Sequence, residues 1–366
     1  MRLCKHRGEV VMSEKGVFEP YRLFVTADRI LEEIDHVNAI IVEAIWKHGP
    51  RNLSELGRAT KIARSTLTYR IERLLSLGLK IVPVIHLPYI SYEVVIAKIK
   101  PREGKLLALY ERLADHPLLR FIAISIAPHR EIYVRLYNKV GTSEALDLLT
   151  KLRDEGLIEN MYFEVCGDDV LTMNVASEYF SREESRYVYD WKGWISEIET
   201  SPTVEEVVID EVRAYEELDD TDRIVLKMIT ENPMIDYVDM GAALGVNYQT
   251  LRYHYLKHVQ RSLLGWNSFV LPVRSYESYV ARVEIVFPST AKMNMFLNTM
   301  HKTPLIMEVA KVKGKPAIFT GQIFPIGEAE NFLWFYEGLQ ARGIIEKYDL
   351  ALLIPNSAKV KPAPPL

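Results

Sequence analysis

An internal repeat without gaps constrains the fold of this chain more than any other feature of its sequence. The stretch Asn52–Gly78 matches the stretch Asp236–Ser262, and adding 184 to a residue number in the first copy gives its equivalent in the second. Matching pairs are Gly57 and Gly241, Ala59 and Ala243, Ile62 and Val246, Thr66 and Thr250, Leu67 and Leu251, and Tyr69 and Tyr253. A match of this kind indicates that one folded unit occurs twice.

Each copy of the repeat has the pattern of three helices followed by a strand. The upstream helix keeps the same offset, since Asp35 matches Asp219. Residues 79–87 are rich in β-branched side chains but contain Pro83, which is typical of an edge strand. The pattern predicts a winged helix-turn-helix domain in each copy, with Ser65 as the N-cap of the third helix. In the first copy the helices are predicted at 30–48, 53–59 and 65–77.

A second repeated pattern follows each helical unit. Its order is strand, helix, strand, strand, helix, strand, which is the order of a ferredoxin-like βαββαβ unit. The sequence therefore predicts an α+β fold with two winged helix-turn-helix domains, each followed by a βαββαβ domain. The elements are predicted at 93–100, 105–115, 119–126, 132–137, 143–154 and 160–165, and again at 279–287, 290–301, 305–312, 317–324, 326–342 and 348–354.

The two patterns divide the chain into seven segments. Trp191 and Trp194 lie in the least regular of them, where we expect them to pack a linker onto a domain; a partner-binding surface is the alternative. The segments are an N-terminal arm (1–30), a first winged helix-turn-helix (31–90), a first βαββαβ domain (91–166), an acidic linker (167–216), a second winged helix-turn-helix (217–275), a second βαββαβ domain (276–356) and a Pro-rich tail (357–366).

The charge is distributed unevenly along the chain. The net charge of −4 excludes a basic field over the whole protein. Residues 61–80 nevertheless carry five Lys or Arg and one acid, a local balance of +4, and a local patch is enough to bind nucleic acid. Only two cysteines, Cys4 and Cys166, are present, which fits a reducing compartment. With no apolar run long enough to span a membrane, the composition predicts a cytoplasmic protein.

The predicted third helix of the first copy has two different faces. Leu67, Ile71, Leu74 and Leu75 have the spacing of an apolar stripe. The opposite face is basic and hydroxyl-rich, and a winged helix places this face in the major groove of DNA. The candidate DNA-binding residues are Arg64, Ser65, Thr66, Thr68, Tyr69, Arg70 and Arg73, with Thr66, Tyr69 and Arg70 expected at bases and Arg64 and Arg73 at phosphates.

The third helix of the second copy keeps the apolar stripe but changes the outer face. Arg70 is replaced by His254, and Thr68 is replaced by Arg252. These differences predict a DNA site with two unequal halves. The candidate DNA-binding residues of the second copy are Asn247, Gln249, Thr250, Arg252, Tyr253, His254, Lys257 and Arg261.

Other residue patterns carry less specific signals. His254 and His258 have a spacing that can bind zinc, but the sequence offers no third ligand, so we expect no metal site. The stretch 166–169, with one thiol and two acids, is typical of a polar turn. The sequence has neither a phosphate-binding glycine loop nor a Gly-x-Ser-x-Gly motif. We therefore expect neither enzymatic activity nor a cofactor.

Each half of the chain resembles the leucine-responsive (Lrp/AsnC) family of transcription regulators. The resemblance implies an archaeal-type tandem fusion of two subunits, sequence-specific binding to double-stranded DNA, self-association through the βαββαβ sheets, and a small-molecule effector. Family members that sense amino acids have a Gly-Asp-x-Asp-type turn between the second and third strands. The turns at 127–130 and 313–316 do not match it, which argues against an amino-acid effector.

Two alternatives share this architecture. Siroheme decarboxylases also pair two winged-helix/βαββαβ halves, and His129, Arg130 and Tyr133 are the candidate residues for that chemistry. A scaffold whose winged helices bind protein is the other alternative, favoured by the acidic linker and the low net charge.

Overall fold

The computed structural model describes residues 20–171, 176–204, 218–361 and 364. Its first helix corrects the predicted arm, because Ala27 and Ile30 are buried on a regular helix that runs to Glu33. Residues 1–19 of that arm lie outside the described residues. The first winged helix-turn-helix consists of α1 (Pro20–Glu33), α2 (His36–His48), α3 (Leu53–Thr60), α4 (Arg64–Ser76) and β1 (Ile81–Ile85).

Side-chain caps explain where two of these helices begin. The Asp35 carboxylate accepts a hydrogen bond from the Asn38 backbone N–H at 2.7 Å, and the Asn52 side chain accepts one from Glu55 in the same way. Helix α4 differs from the prediction, because it begins at Arg64 without a side-chain cap, one residue before the expected Ser65.

The first βαββαβ domain follows the predicted order, but its last strand is longer than expected. Residues 166–169, predicted as a polar turn, continue that strand, and Cys166 is buried. The domain consists of β2 (Tyr92–Pro101), α5 (Leu106–Ala114), β3 (Leu119–Ala127), β4 (Ile132–Lys139), α6 (Glu144–Asp154) and β5 (Ile158–Leu171).

The predicted linker contains regular structure. A small hairpin of β6 (Phe180–Ser181) and β7 (Arg186–Tyr187) precedes helix α7 (Trp191–Thr200). Trp191 and Trp194 are buried in α7, so the tryptophans pack this segment onto the rest of the molecule. The acidic stretch at 205–217 lies outside the described residues.

The second copy repeats the same order and confirms the predicted fold class. After the strand that ends at Leu353, the predicted tail continues the structure up to Lys361 and includes a short strand at Lys359–Val360. The elements are α8 (Asp220–Glu231), α9 (Tyr237–Leu244), α10 (Tyr248–Lys257), β8 (Leu263–Ser268), β9 (Ser278–Val286), α11 (Thr290–Met300), β10 (Ile306–Val312), β11 (Ala317–Pro325), α12 (Ala329–Ala341), β12 (Lys347–Leu353) and β13 (Lys359–Val360).

The two βαββαβ sheets close into one barrel. The strand order is β12-β9-β11-β10-β5-β2-β4-β3-β13, and β12 also pairs with β3. The halves are therefore joined twice, through β10 with β5 and through β12 with β3. Closure of this kind leaves few free strand edges, because backbone groups at both seams are paired.

Residues on the barrel strands alternate between two environments, as the period of a strand requires. Outward-facing apolar side chains of the first half, such as Val95 and Val134, form a core with α5 and α6. Their counterparts in the second half, such as Val283, pack beneath α7, α11 and α12. Inward-facing residues, such as Ile96 and Phe319, belong to a third core that extends into the winged helices.

The two winged helix-turn-helix domains are joined through their strands. β1 pairs with β8 antiparallel, with Ile81 opposite Ser268 and Pro83 opposite Trp266. The strand predicted as a wing therefore pairs with the other copy. Pro83 is tolerated because a sheet of two strands has only edges.

None of the described helices is long and apolar enough to cross a membrane.

Candidate nucleic-acid interface

Helix α4 buries its apolar stripe and exposes most of its predicted DNA-binding face. Leu67, Ile71 and Leu74 are buried against α2 and α3. Tyr69, on the opposite face, has 69% of its surface exposed, although a tyrosine ring normally gains free energy from burial. The other exposed candidate residues of this helix are Arg64, Ser65, Thr66 and Arg73, and Arg73 Nη2 donates to Glu33 Oε1 at 2.9 Å.

Helix α10 repeats this arrangement with different chemistry. Leu251 and Tyr255 are buried, while Tyr253, the equivalent of Tyr69, is 55% exposed. The Asn247 side chain caps the helix by accepting a hydrogen bond from the Gln249 backbone N–H at 2.8 Å. The exposed candidate residues are Asn247, Gln249, Thr250, Arg252, Tyr253, Lys257 and Arg261.

The Arg70 side chain does not point outward to solvent, as the sequence predicts. Its guanidinium folds back onto α2, where Nη1 donates to Asp35 Oδ2 at 2.8 Å and to Asn38 Oδ1 at 2.9 Å. Arg70, which was predicted to contact a base, is thus already hydrogen-bonded within the protein. Burial raises the pKa of Asp35, but the Asn38 backbone N–H and Arg70 outweigh it and lower the pKa below its ordinary value. Thr68 is also only half-exposed, and its hydroxyl donates to the Arg64 carbonyl at 3.0 Å.

His254 occupies the position equivalent to Arg70 and likewise turns inward. Its Nδ1 lies 2.9 Å from Asp222 Oδ1, and the Nδ1 of His258 lies 3.1 Å from Asp222 Oδ2. Asp219 Oδ2 lies 3.6 Å from His254 Nδ1. The sequence offered no third ligand for these histidines, but the structure brings two, because Asp219 and Asp222 at the start of α8 lie beside them.

Arg51 helps to fix the two winged helices relative to each other. It lies between α2 and α3 and donates from Nη1 to the Ile235 carbonyl of the second copy at 3.0 Å. Its guanidinium also lies over the rings of Tyr255 at 4.6 Å and Tyr237 at 5.4 Å, measured to the ring centroids. Cation–π contacts of this kind are stronger when they are shielded from water. Helices α4 and α10 therefore belong to one connected body.

A cavity of about 460 Å³ opens at one end of the barrel. Lys98 lines it and donates to Glu284 Oε2 at 2.9 Å and also to Asp349. Burial disfavours the charge of Lys98, but these two carboxylates outweigh it and raise the lysine pKa. Tyr162 lines the same cavity and donates to Glu164 Oε1 at 2.8 Å, and burial together with the neighbouring carboxylates raises its pKa.

The three residues proposed for decarboxylase chemistry separate in the structure. His129 is exposed and lines this cavity, whereas Arg130 is exposed outside its lining. Tyr133 is buried inside the barrel, where its ring lies against Phe121. Sequence reasoning missed Lys98 and Tyr162, which share a cavity although 64 positions (162 − 98) separate them. The available signal was the βαββαβ order, which places the first and last strands side by side, and in the structure Lys98 of β2 lies directly opposite Tyr162 of β5.

The sequence matches no protein-family model, and no curated protein matches it either. Solved structures do match. The siroheme decarboxylase NirDL is 13% identical with a TM-score of 0.55, and the match covers 87% of this chain and 91% of that chain. NirDL in co-complex with an iron-uroporphyrin III analogue is 13% identical with a TM-score of 0.51, covering 83% and 85%.

Lrp/AsnC regulators are also among the structural neighbours. LrpC of B. subtilis is 19% identical with a TM-score of 0.29, and the match covers 36% of this chain and 93% of that chain. The prediction that this chain is not an enzyme is wrong, because an enzyme shares the fold over nearly the whole chain. The match to NirDL shows that the fold of this chain also occurs in an enzyme.

Proposed function

We propose that this chain is a sequence-specific DNA-binding transcription regulator that contacts duplex DNA with α4 and α10. The observation that carries the proposal is the pair of equivalent exposed faces, each with a solvent-exposed tyrosine, Tyr69 and Tyr253, beside exposed arginines. Burying a tyrosine ring is favourable, so packing alone gives no reason to expose one at the same position of both copies. A tyrosine and arginine face suits phosphate and base contacts in a groove.

The two faces favour a DNA site with unequal halves. Arg252 is exposed on α10, whereas its equivalent Thr68 is half-buried on α4. Arg70 and His254 are both held by carboxylates of their own domains, so we assign them to orienting the helices rather than to reading bases. Exposed arginines then supply most of the charge at the interface, namely Arg64, Arg252, Arg261 and Arg73, whose exposed ion pair with Glu33 would open to reach a phosphate.

A salt titration of DNA binding tests the proposal. We expect the variant Arg64→Ala/Arg73→Ala to bind weakly and to reduce the slope of log affinity against log salt by about 2, because each phosphate contact releases about one counterion. The matched control is Lys151→Ala/Arg153→Ala, which removes the same charge from the exposed face of α6. Binding measured by electrophoretic shift on selected DNA should weaken only in the first variant. Equal binding by both variants contradicts the proposal.

A second candidate function is an enzymatic reaction of the siroheme decarboxylase kind. The match to NirDL and the cavity at the barrel end favour it. The cavity has the size of a small-molecule site. Its cationic side chains, Lys98, Lys100 and Lys347, suit a substrate with carboxylates, although Lys98 is already paired with Glu284 and Asp349, and Lys100 with Glu159.

In that reaction a carboxylate leaves as CO₂ and a proton takes its place on carbon. Tyr162 lines the cavity, its hydroxyl donates to Glu164 Oε1 at 2.8 Å, and we assign it as the candidate residue for that proton transfer. Absorbance titration of the purified chain with an iron tetrapyrrole tests the candidate. A shifted Soret band that Tyr162→Phe leaves intact, with product formation lost in the variant, supports it. An unchanged spectrum removes this candidate.

Further features of the chain are part of the same proposal. We propose that the two halves arose by tandem duplication of one Lrp/AsnC-like unit, as in archaeal-type fusions, and that the chain acts in the cytoplasm. Self-association would use surfaces outside the barrel seams, because both seams are already paired within one chain. A small-molecule effector would have the barrel-end cavity as its site.

A further inference from the structure

Two histidines and two aspartates converge where α8 meets α10. The Nδ1 atoms of His254 and His258 both approach Asp222, at 2.9 and 3.1 Å, and Asp219 Oδ2 lies 3.6 Å from His254. One nitrogen or oxygen from each of the four side chains lies within 4.8 Å of all the others. The cluster thus combines two imidazoles with two carboxylates around a single point.

The spacing of these atoms suits a tetrahedral metal ion. Zn²⁺ binds imidazole nitrogen and carboxylate oxygen at about 2.0–2.2 Å, so two ligand atoms of a tetrahedral site are about 3.3 Å apart. The separations of 2.9, 3.1 and 3.6 Å lie on both sides of that value. The remaining separations among the four ligand atoms are at most 4.8 Å, so binding would draw the more distant atoms inward.

Regular structure holds the four ligands in place. Asp219 and Asp222 form the capping box of α8, in which each side chain accepts a hydrogen bond from the backbone N–H of the other, at 2.8 and 3.1 Å. His254 and His258 are four residues apart and share one side of α10 and its C-cap. The Asp222 side chain is 1% exposed, and a carboxylate buried to this degree requires a cation or strong donors beside it.

In the first copy, an arginine occupies the position that corresponds to this cluster. There Asp35 and Asn38 stand for Asp219 and Asp222, and Leu74 stands for His258. Arg70, the equivalent of His254, places its guanidinium on Asp35 and Asn38, at 2.8 and 2.9 Å. One copy thus holds a built-in cation against one carboxylate. The other copy lacks that arginine, gains a second carboxylate and directs two imidazoles to the same point.

We propose that Asp222, His254 and His258, completed by Asp219, bind a Zn²⁺ ion that takes the place of the Arg70 guanidinium of the first copy. A divalent cation would balance the two carboxylates, and imidazole nitrogens select zinc over magnesium or calcium. The ion would tie α10, the helix proposed to contact DNA, to α8. Zinc binding at this cluster is measured without DNA and is therefore independent of DNA binding by the chain.

Zinc titration of the full chain tests the site. We expect the chelator-treated protein to bind one more zinc equivalent than the variant Asp222→Asn/His254→Arg/His258→Leu, measured by isothermal calorimetry with ZnCl₂. This variant installs the residues of the first copy, so it is expected to fold, which circular dichroism checks. Co²⁺ should give the visible absorption of a tetrahedral nitrogen- and oxygen-ligated ion in the wild type and lose it in the variant.

Single substitutions provide a second measurement in case the triple variant fails to fold. His258→Leu should weaken zinc binding by more than about 10-fold, because losing even a residue that only orients a metal ligand costs about 10–100-fold. The matched control His129→Leu removes an exposed histidine outside the cluster and should leave the affinity unchanged. Equal zinc affinity in the wild type and in His258→Leu would overturn the proposal, as would a wild type that binds no zinc.

Discussion

At the scale of single residues, one repeat position shows how the two copies diverged. Arg70 and His254 are equivalent, and both turn from the expected DNA-facing side toward a helix N-terminus, that of α2 for Arg70 and that of α8 for His254. Each meets an N-cap aspartate there, Asp35 or Asp219. The sequence pattern placed both residues on the outer face because helical periodicity specifies a direction, whereas the reach of a long side chain is set by its partners.

The Asp35–Arg70 pair predicts an acid-dependent part of the stability. The pKa of Asp35 is lowered from 3.8 in the folded protein, so its stabilising effect is present above that value and is lost as the pH falls through the lower folded pKa. We expect the free-energy difference between wild type and Asp35→Asn to be constant above about pH 5 and to shrink below pH 3.8.

Urea unfolding at a series of pH values measures this difference. Asparagine keeps the N-cap acceptor, so the comparison isolates the charge. Arg70→Met should reduce the same pH dependence, since it removes the cationic partner of Asp35. A gap between wild type and Asp35→Asn that persists unchanged at low pH would contradict the assignment.

At the scale of elements, helix α7 shows a segment whose structure depends on its docking surface. Its sequence is short and has few helix-start signals besides the Asp190 cap, which accepts a hydrogen bond from the Gly193 N–H at 3.0 Å. Trp194 lies 1% exposed in the core beneath α11 and α12, in edge contact with Phe335. Burial of this ring is what holds the segment as a helix, because short isolated helices are marginal in water.

Truncation of Trp194 should therefore destabilise the second half strongly. We expect Trp194→Ala to lower the free energy of unfolding by about 3–5 kcal/mol, the cost of emptying a core site of this size. Trp334→Ala is the matched control, because Trp334 is 65% exposed on α12. Its effect should stay within about 0.5 kcal/mol. Denaturant unfolding followed by far-UV circular dichroism compares the two, and equal losses would argue against α7 as part of the core.

At the scale of the whole molecule, the barrel joins the halves through a buried charge cluster. Arg135 of β4 and Arg282 of β9 come from different halves, and both meet Glu308 of β10. The Arg135 contact measures 3.1 Å, and Arg282 also lies 4.2 Å from the centroid of the Phe121 ring. All three charged side chains are almost completely buried. The Arg282–Glu308 pair lies within the second half, whereas the Arg135–Glu308 pair and the Arg282–Phe121 contact cross between the copies. Through these two crossing contacts the cluster ties one copy to the other.

Removing the shared carboxylate should weaken this closure. We expect Glu308→Gln to cost about 3–5 kcal/mol, because breaking a buried ion pair leaves charge in a poorly solvated place. Glu330→Gln on the exposed face of α12 changes the same charge and should cost little. Urea unfolding gives both values. Equal midpoints for the two variants would show that Glu308 does not hold the halves together.

The sequence alone determined the repeated architecture. Periodicity, caps and turn residues are local signals, so the helices, the two βαββαβ orders and the buried stripe of α4 through Leu67 and Ile71 followed from it. The exposed faces of α4 and α10 followed for the same reason. Local signals did not predict α1, α7 or the extension of β5, because each of these segments is held by packing or pairing with residues distant in the sequence.

Only the tertiary structure decided which distant groups meet. Strand pairing across the halves closed the barrel, and no local pattern specifies that β12 pairs with β3. Asp222 met His254 and His258 because α8 packs on α10, which turned an unremarkable histidine pair into a cluster of four ligands. Lys98 and Tyr162 met because β2 lies beside β5. The physical reason is that periodicity fixes the face of an element, whereas packing fixes its neighbour.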